Sequence, residues 1–194
     1  RSSALLRNGS DMSYDLPEGW TWALVDDLCY VGTGSTPRRD EPDNYEDGQI
    51  PWITSAVTGK PFISEASEHI SERALAETNC QVYPKHTLIV GMYGQGKTRG
   101  QVSELLIEAS TNQACAALVF DGFSDCVRPY VKLFFQKSYL ELRKLAEGGA
   151  QPNLNVGKIR NTSLPVPPLA EQRRIVAKVD QLMRLCDELE AGLV

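Results

Sequence analysis

A chain of 194 residues, 42% hydrophobic and 23% charged, has the size of one domain with an appendage. It can bury roughly two thirds of its unfolded surface, so no disulfide or metal staple is required. No run approaches the ~20 apolar residues of a membrane span, and no basic, apolar and small-residue sequence opens the chain as a secretory signal would, which leaves a cytoplasmic protein without a membrane partner as the expectation. The net charge of −5 runs against a nucleic-acid partner, yet the charge is segregated. Residues 40–47 hold Asp40, Glu41, Asp43, Glu46 and Asp47, whereas residues 85–103 hold Lys85, Lys97 and Arg99 and no acid.

In chain order, residues 1–13 are polar and patternless, with Met12-Ser13 resembling a natural start, and are expected to be a disordered, appended segment. Residues 20–24 alternate like a strand, and Val25-Asp26-Asp27-Leu28 follows as a single helical turn. Gly32-Thr33-Gly34-Ser35-Thr36-Pro37 is a loop by composition. Ile50-Pro51-Trp52-Ile53 is a strand entered through proline, which suits an edge or a strand start. Ser71 can cap a brief helix to about Thr78. Residues 87–92 and 114–120 are compact apolar runs that predict buried strands. Between them Val102, Leu105, Leu106 and Ala109 fit either a short helical face or a strand pair turning near Ser110.

A helix is predicted from Pro129 to the Gly148-Gly149 stop. Val131, Phe134, Phe135, Leu142 and Leu145 form its apolar face, and Lys132, Lys137, Arg143 and Lys144 its solvated one. Pro165-Val166-Pro167-Pro168 then separates two regimes. Beyond it Ile175, Val179, Leu182, Cys186, Leu189 and Leu193 alternate spacings of four and three, the seam of a coiled coil, with Val176 and Met183 widening the stripe. Such a helix should project beyond the domain and meet another helix, and the pattern is still in register at the last residue. The five cysteines contain no CxxC pair, and His69 and His86 stand isolated, so buried thiols in a reducing compartment and no metal are expected.

Two chemistries compete for residues 91–101. Gly91-Met92-Tyr93-Gly94-Gln95-Gly96-Lys97-Thr98 matches the phosphate-loop pattern after an apolar strand, and Asp121 could hold the metal of a small P-loop NTPase. Against this, Arg99-Gly100 interrupts the helix such a loop needs at once, and the repeated βαβ pattern is missing. The same loop offers Tyr93, Gln95, Lys97, Thr98 and Arg99 on a flexible backbone. Its cations suit phosphates, and its amide and guanidinium groups suit base edges. A third reading is an assembly protein acting through the C-terminal coiled coil alone.

Several segments together resemble the specificity subunit of type I restriction–modification systems. They are Leu16-Pro17-Glu18-Gly19-Trp20, the 32–37 loop, Ile50-Pro51-Trp52-Ile53, Gly96-Lys97-Thr98-Arg99-Gly100, Thr111-Asn112-Gln113-Ala114 and Gly149-Ala150-Gln151-Pro152-Asn153-Leu154-Asn155. The strongest is Leu164-Pro165-Val166-Pro167-Pro168-Leu169-Ala170-Glu171-Gln172-Arg173-Arg174-Ile175-Val176. The resemblance implies an α+β (mixed α/β) target recognition domain, placed here at residues 14–166, and a conserved helical spacer at 167–194. It implies one half of a non-catalytic DNA-reading subunit, whose spacer helix pairs with a second one from a longer chain or a homodimer mate. Partners would be double-stranded DNA, methyltransferase subunits using S-adenosylmethionine and a restriction subunit using ATP, with no cofactor on this chain.

The DNA-contact candidates are then Lys97, Arg99, Gln95, Thr98 and Tyr93, with Lys60, Arg38 and Arg39, and further Asn153, Asn155 and Lys158. Competing structural roles stay open. Arg38 and Arg39 can pair with Asp40, Glu41 and Asp43, Asn153 and Asn155 can satisfy their own loop, and Trp20, Trp22 and Trp52 suit a core.

Overall fold

The computed structural model describes residues 15–93, 97–147 and 153–192. The appended segment expected at 1–13, Gln95, the Gly148-Gly149 stop, Leu193 and the side chain of Leu145 lie outside the described residues. The first half runs β1 (Thr21–Leu24), α1 (Val25–Leu28), β2 (Tyr30–Thr33), β3 (Ile50–Ile53), β4 (Phe62–Ile63), β5 (Glu68–Ile70) and α2 (Glu72–Glu77). The second runs β6 (Leu88–Gly91), β7 (Val102–Leu105), β8 (Ser110–Thr111), β9 (Cys115–Val119), α3 (Arg128–Lys137), α4 (Tyr139–Glu147), α5 (Val156–Arg160), β10 (Ser163–Val166) and α6 (Leu169–Ala191).

The two apolar runs form the centre. β6 and β9 pair antiparallel in a five-stranded sheet of order β2-β9-β6-β7-β4. Their alternating side chains enter different cores. Leu88, Val90, Ala116 and Leu118 face the helices, with Phe135, Leu142, Leu154 and Ile159, while Ile89, Cys115 and Ala117 face Ile53, Ile63 and Tyr83. A strand buried on both faces must be apolar at every position, which is why these segments read as runs rather than alternations.

A second sheet, β5-β3-β8, lies over that other face with α2 beside it. Ser71 caps α2 through Oγ, which accepts the Ala74 amide at 3.2 Å. β3 is the middle strand of this sheet rather than an edge. The proline is tolerated near the strand's start, where Pro51 pairs only with His69 of β5, because β8 joins no earlier than Trp52. Trp52 is buried as expected, its indole N–H donating to the Ser35 carbonyl at 3.1 Å. Trp20 and Trp22 are half-buried along an apolar groove with Phe134 and Ile175.

The predicted single helix over 129–147 is two. Ser138 adopts φ −85°, ψ 7°, and redirects the chain between α3 and α4. The turn lets Gly100, at φ 86°, settle against the Tyr139 carbonyl and Leu142. Lys132 is not on a solvated face, as its spacing suggests, but buried. Its Nζ lies 3.0 Å from Glu104 Oε2 on β7 and 3.7 Å from the Phe62 ring centroid.

The two ends of the fold meet. β1 pairs antiparallel with β10, so the proline-rich segment is a strand that returns the chain to its beginning before α6 departs. Gln172 fixes that departure from within, its buried amide donating to the Pro167 carbonyl at 2.9 Å. Ile175 and Val176 of α6 pack on the helix-side core, and everything from Asp180 to the helix end is exposed. No helix among the described residues is long and apolar enough to cross a membrane.

Candidate nucleic-acid interface

Sheet topology gathers the candidate residues. β6 ends at Gly91, and β7 leaves the same end antiparallel, so the two strands form a hairpin that the chain turns between Gly91 and Val102. β9 begins at that end, and β2 ends there, because Gly91 faces Cys115 and Thr33 faces Ala116. β4 runs parallel to β7 and also begins there, bringing residues 58–61 alongside. The Leu154 amide donates to the Met92 carbonyl at 3.1 Å and draws in residues 153–155.

This geometry removes the P-loop reading. No helix begins at Lys97, since the Gly100 amide donates back to Gly91 O at 2.8 Å and β7 follows at once. A Cβ on Gly91 would stand 2.4 Å from Thr98 O, so that glycine serves the hairpin's own closure. β9 is antiparallel to β6, which puts Asp121 at the opposite end of the sheet from Thr98, out of reach of a shared metal.

Lys97 and Tyr93 are exposed on the loop, and Thr98 Oγ1 donates to Tyr93 O at 3.4 Å. Arg99 is only 6% exposed, beneath the loop. Its carbonyl accepts from Arg143 at 3.4 Å, and the Lys97 carbonyl accepts the Tyr139 hydroxyl at 2.8 Å. The loop backbone is thus moored to the start of α4, leaving the Lys97 side chain outward. Across from it the Lys60 side chain is exposed, while its carbonyl accepts the Ser103 hydroxyl. Neither Lys60 nor Lys97 has a carboxylate partner among the described residues.

Between these segments runs a groove of about 330 Å³ lined by Thr58, Lys60, Gln101, Gln136 and Tyr139, together with Gly59, Pro61, Gly100 and Val102. Its lining carries a cation and amides and no acid. Sequence reasoning named Lys60 but not Gln136 or Tyr139, because helical spacing alone does not place these residues of α3 and α4 beside the hairpin.

The other candidates lie apart or are engaged. Arg38 pairs with Asp40 and Glu41, and its hydrogen bond to Asp40 raises the guanidinium and lowers the carboxyl from their ordinary values. Arg39 pairs with Glu68 and lies 4.7 Å and 5.0 Å from the ring centroids of Tyr45 and Trp52, on the small sheet. Asn155 caps α5, accepting the Lys158 amide at 2.8 Å, and Lys158 Nζ reaches the Asn153 carbonyl at 3.0 Å. Burial, aided at Cys29 by Asp26, pushes the thiols of Cys29 and Cys115 up to about 12.

The segments that carried the resemblance serve mainly as joints. A Cβ on Gly34 would fall 1.7 Å from the Thr111 carbonyl oxygen, so the 32–37 loop crosses the 111–114 segment in backbone contact. Thr36 Oγ1 donates to Gln113 Oε1 at 2.7 Å, and the Asn112 amide donates to Ile53 O at 3.0 Å.

Comparison with known proteins agrees with this arrangement. A family model described as "Type I restriction modification DNA specificity domain" matches residues 17–193. The Escherichia coli type I restriction enzyme EcoR124I/EcoR124II specificity subunit is 23% identical over 175 residues, covering 89% of this chain and 43% of its own length. The EcoKI specificity subunit of Escherichia coli K12 is 27% identical, covering 91% and 39%. The chain therefore spans about two fifths of the length of these curated relatives. Among solved structures, the HsdS subunit from Thermoanaerobacter tengcongensis aligns with a TM-score of 0.71 at 21% identity, covering 94% of this chain and 42% of that one. With a fold shared along nearly the whole chain and a family match from residue 17 to residue 193, the protein belongs to the type I restriction modification DNA specificity domains.

Proposed function

We propose that this chain is one target recognition domain of a type I specificity subunit and binds one half of a split duplex-DNA site along the groove at the hairpin end of the sheet. The family match over residues 17–193 carries the reading, and the acid-free groove lined by Lys60, with Lys97 held beside its Tyr139, supports its location. Phosphate contacts would come from these exposed lysines, and sequence discrimination from polar side chains between them.

The projecting part of α6 acts as the spacer. Leu182, Cys186 and Leu189 meet a second helix, from a longer chain or from a second copy, in a coiled coil. The reading gives this chain no catalytic step and no cofactor. Methyltransferase and restriction subunits bring the S-adenosylmethionine and ATP chemistry, and the assembly works on DNA in the cytoplasm. Binding-site selection from random duplex, with the chain held by its cognate methyltransferase subunit, tests the proposal. One enriched half-site is expected, with affinity falling steeply as salt rises. Equal affinity for every sequence would overturn it.

A further inference from the structure

The groove holds two primary amides that the fold itself does not use. Seven glutamines have described positions, and five of them are engaged. Gln49 bonds the Asp47 carbonyl, Gln81 the Thr33 carbonyl and Gln172 the Pro167 carbonyl, while Gln113 accepts from Thr36 and Gln181 from Lys178. Gln101 and Gln136 are the remaining two. Neither side chain has a hydrogen-bond partner among the described residues, and both line the same groove.

Their settings differ from those of a merely solvated glutamine. Gln101 is half-buried where the hairpin returns to β7, its backbone fixed by the Gly91 amide donating to its carbonyl at 3.0 Å and by its own amide donating to Thr98 O at 3.1 Å. A Cβ on Gly59 would lie 3.4 Å from Gln101 Oε1, so the amide end rests against Gly59, another lining residue of the groove. Gln136 is exposed in the last turn of α3, just before the bend that brings Tyr139 to the hairpin. Two amides, one from the hairpin and one from α3, thus line the same groove as Lys60.

A primary amide offers one acceptor and two donors. That set matches the N6 donor and N7 acceptor of adenine in the major groove, whereas lysine ammoniums suit phosphates. Resting on the DNA-recognition reading above, we infer that Gln101 and Gln136 are base-reading residues of this groove and that adenine is the base each recognises, with Lys60 and Lys97 holding the backbone.

The test uses the full chain in complex with its cognate methyltransferase subunit and repeats the random-duplex selection with Gln101→Ala/Gln136→Ala. The wild-type half-site should contain adenine at positions where the double variant loses preference. Affinity for the wild-type site should fall about tenfold or more, while binding to unrelated duplex and the salt slope stay unchanged. Gln101→Glu and Gln136→Glu keep the side-chain shape but carry only acceptors, so each should shift one position from adenine to cytosine, whose N4 donates. These two variants also carry the test if the double alanine variant melts early. The same selected site in all variants, or a wild-type site without adenine, overturns the inference and leaves the DNA-recognition reading standing. A wild-type complex that selects no site overturns both.

Discussion

Lys97 and Arg99 stand two positions apart on one loop, yet the hairpin exposes the first and buries the second. Composition made them equivalent, because a glycine-rich stretch with cations says nothing about which side chain lies under it. The consequence is a divergent pair of substitutions. Lys97→Ala should weaken binding to all duplex sequences alike and reduce the logarithmic salt slope by about 0.9, the share of one phosphate contact. Arg99→Ala should instead destabilise the domain by about 2 kcal/mol, as losses of buried side chains do. A salt series and a thermal melt separate the two, and an Arg99→Ala protein with normal melting but altered base preference would refute the placement. Gly34 makes the same distinction among the family-like residues. Replacing it with alanine drives a methyl group into the Thr111 carbonyl, so a loss of about 3 kcal/mol is expected in urea melts. The sequence motif was legible, but its role as a backbone crossing was not. That role depends on Thr111, far along the chain.

At the scale of elements, periodicity read the central strands, the α2 cap and α6 because each is defined by its own residues. It failed where a neighbour decides. The 129–147 segment has continuous helical spacing, but the backbone leaves helical geometry at Ser138, next to the point where Gly100 of the hairpin packs against Tyr139. Lys132 falls on the polar face of that spacing, but Glu104 of β7 lies beneath α3, with Arg128 Nε 3.6 Å and His86 Nδ1 3.0 Å from its carboxylate. Burial alone would raise the Glu104 carboxyl. Hydrogen bonds from Lys132 and His86, with the charges of Lys132 and Arg128, outweigh it and hold the group below the ordinary glutamate range. Since the folded value is the lower one, ionised Glu104 stabilises the fold at neutral pH, and that contribution disappears as the pH drops from about 4 toward the folded value. Glu104→Gln leaves Lys132 buried without its counter-charge and should cost about 3 kcal/mol at pH 7. The difference from wild type should shrink steadily in acid, as measured by urea unfolding at pH 7 and at pH 3.5. A gap that stays constant across that range would show that the carboxylate's charge contributes nothing.

For the whole molecule, the apolar stripe of α6 divides into two parts with different duties. Regular spacing from Ile175 onward suggested one uniform seam, since a heptad pattern looks alike whether it meets the protein's own body or a partner. The fold takes the first positions for itself. Ile175 and Val176 pack against the helix-side core, and Val179 is half-buried beside α3. The outer positions are open to solvent, with Leu182 49% and Leu189 69% exposed. At about 1.5 Å per residue the 23-residue helix is some 35 Å long, and its residues from Asp180 onward are exposed. This division predicts separable phenotypes. Leu182→Asp/Leu189→Asp should abolish self-association in sedimentation velocity while shifting domain stability by less than about 0.5 kcal/mol, the usual range for exposed sites. Ile175→Asp should do the reverse, costing about 3 kcal/mol in stability because it buries a charge against Trp20, Tyr130 and Phe134. If Ile175→Asp melts like wild type, or if the double aspartate variant unfolds the domain, then α6 is not shared between core and partner in this way. The same two proteins also bear on the groove, which lies across α3 from α6. The monomeric double variant should still bind a single half-site duplex through Lys60 and Lys97, because no residue of the outer helix lines that groove.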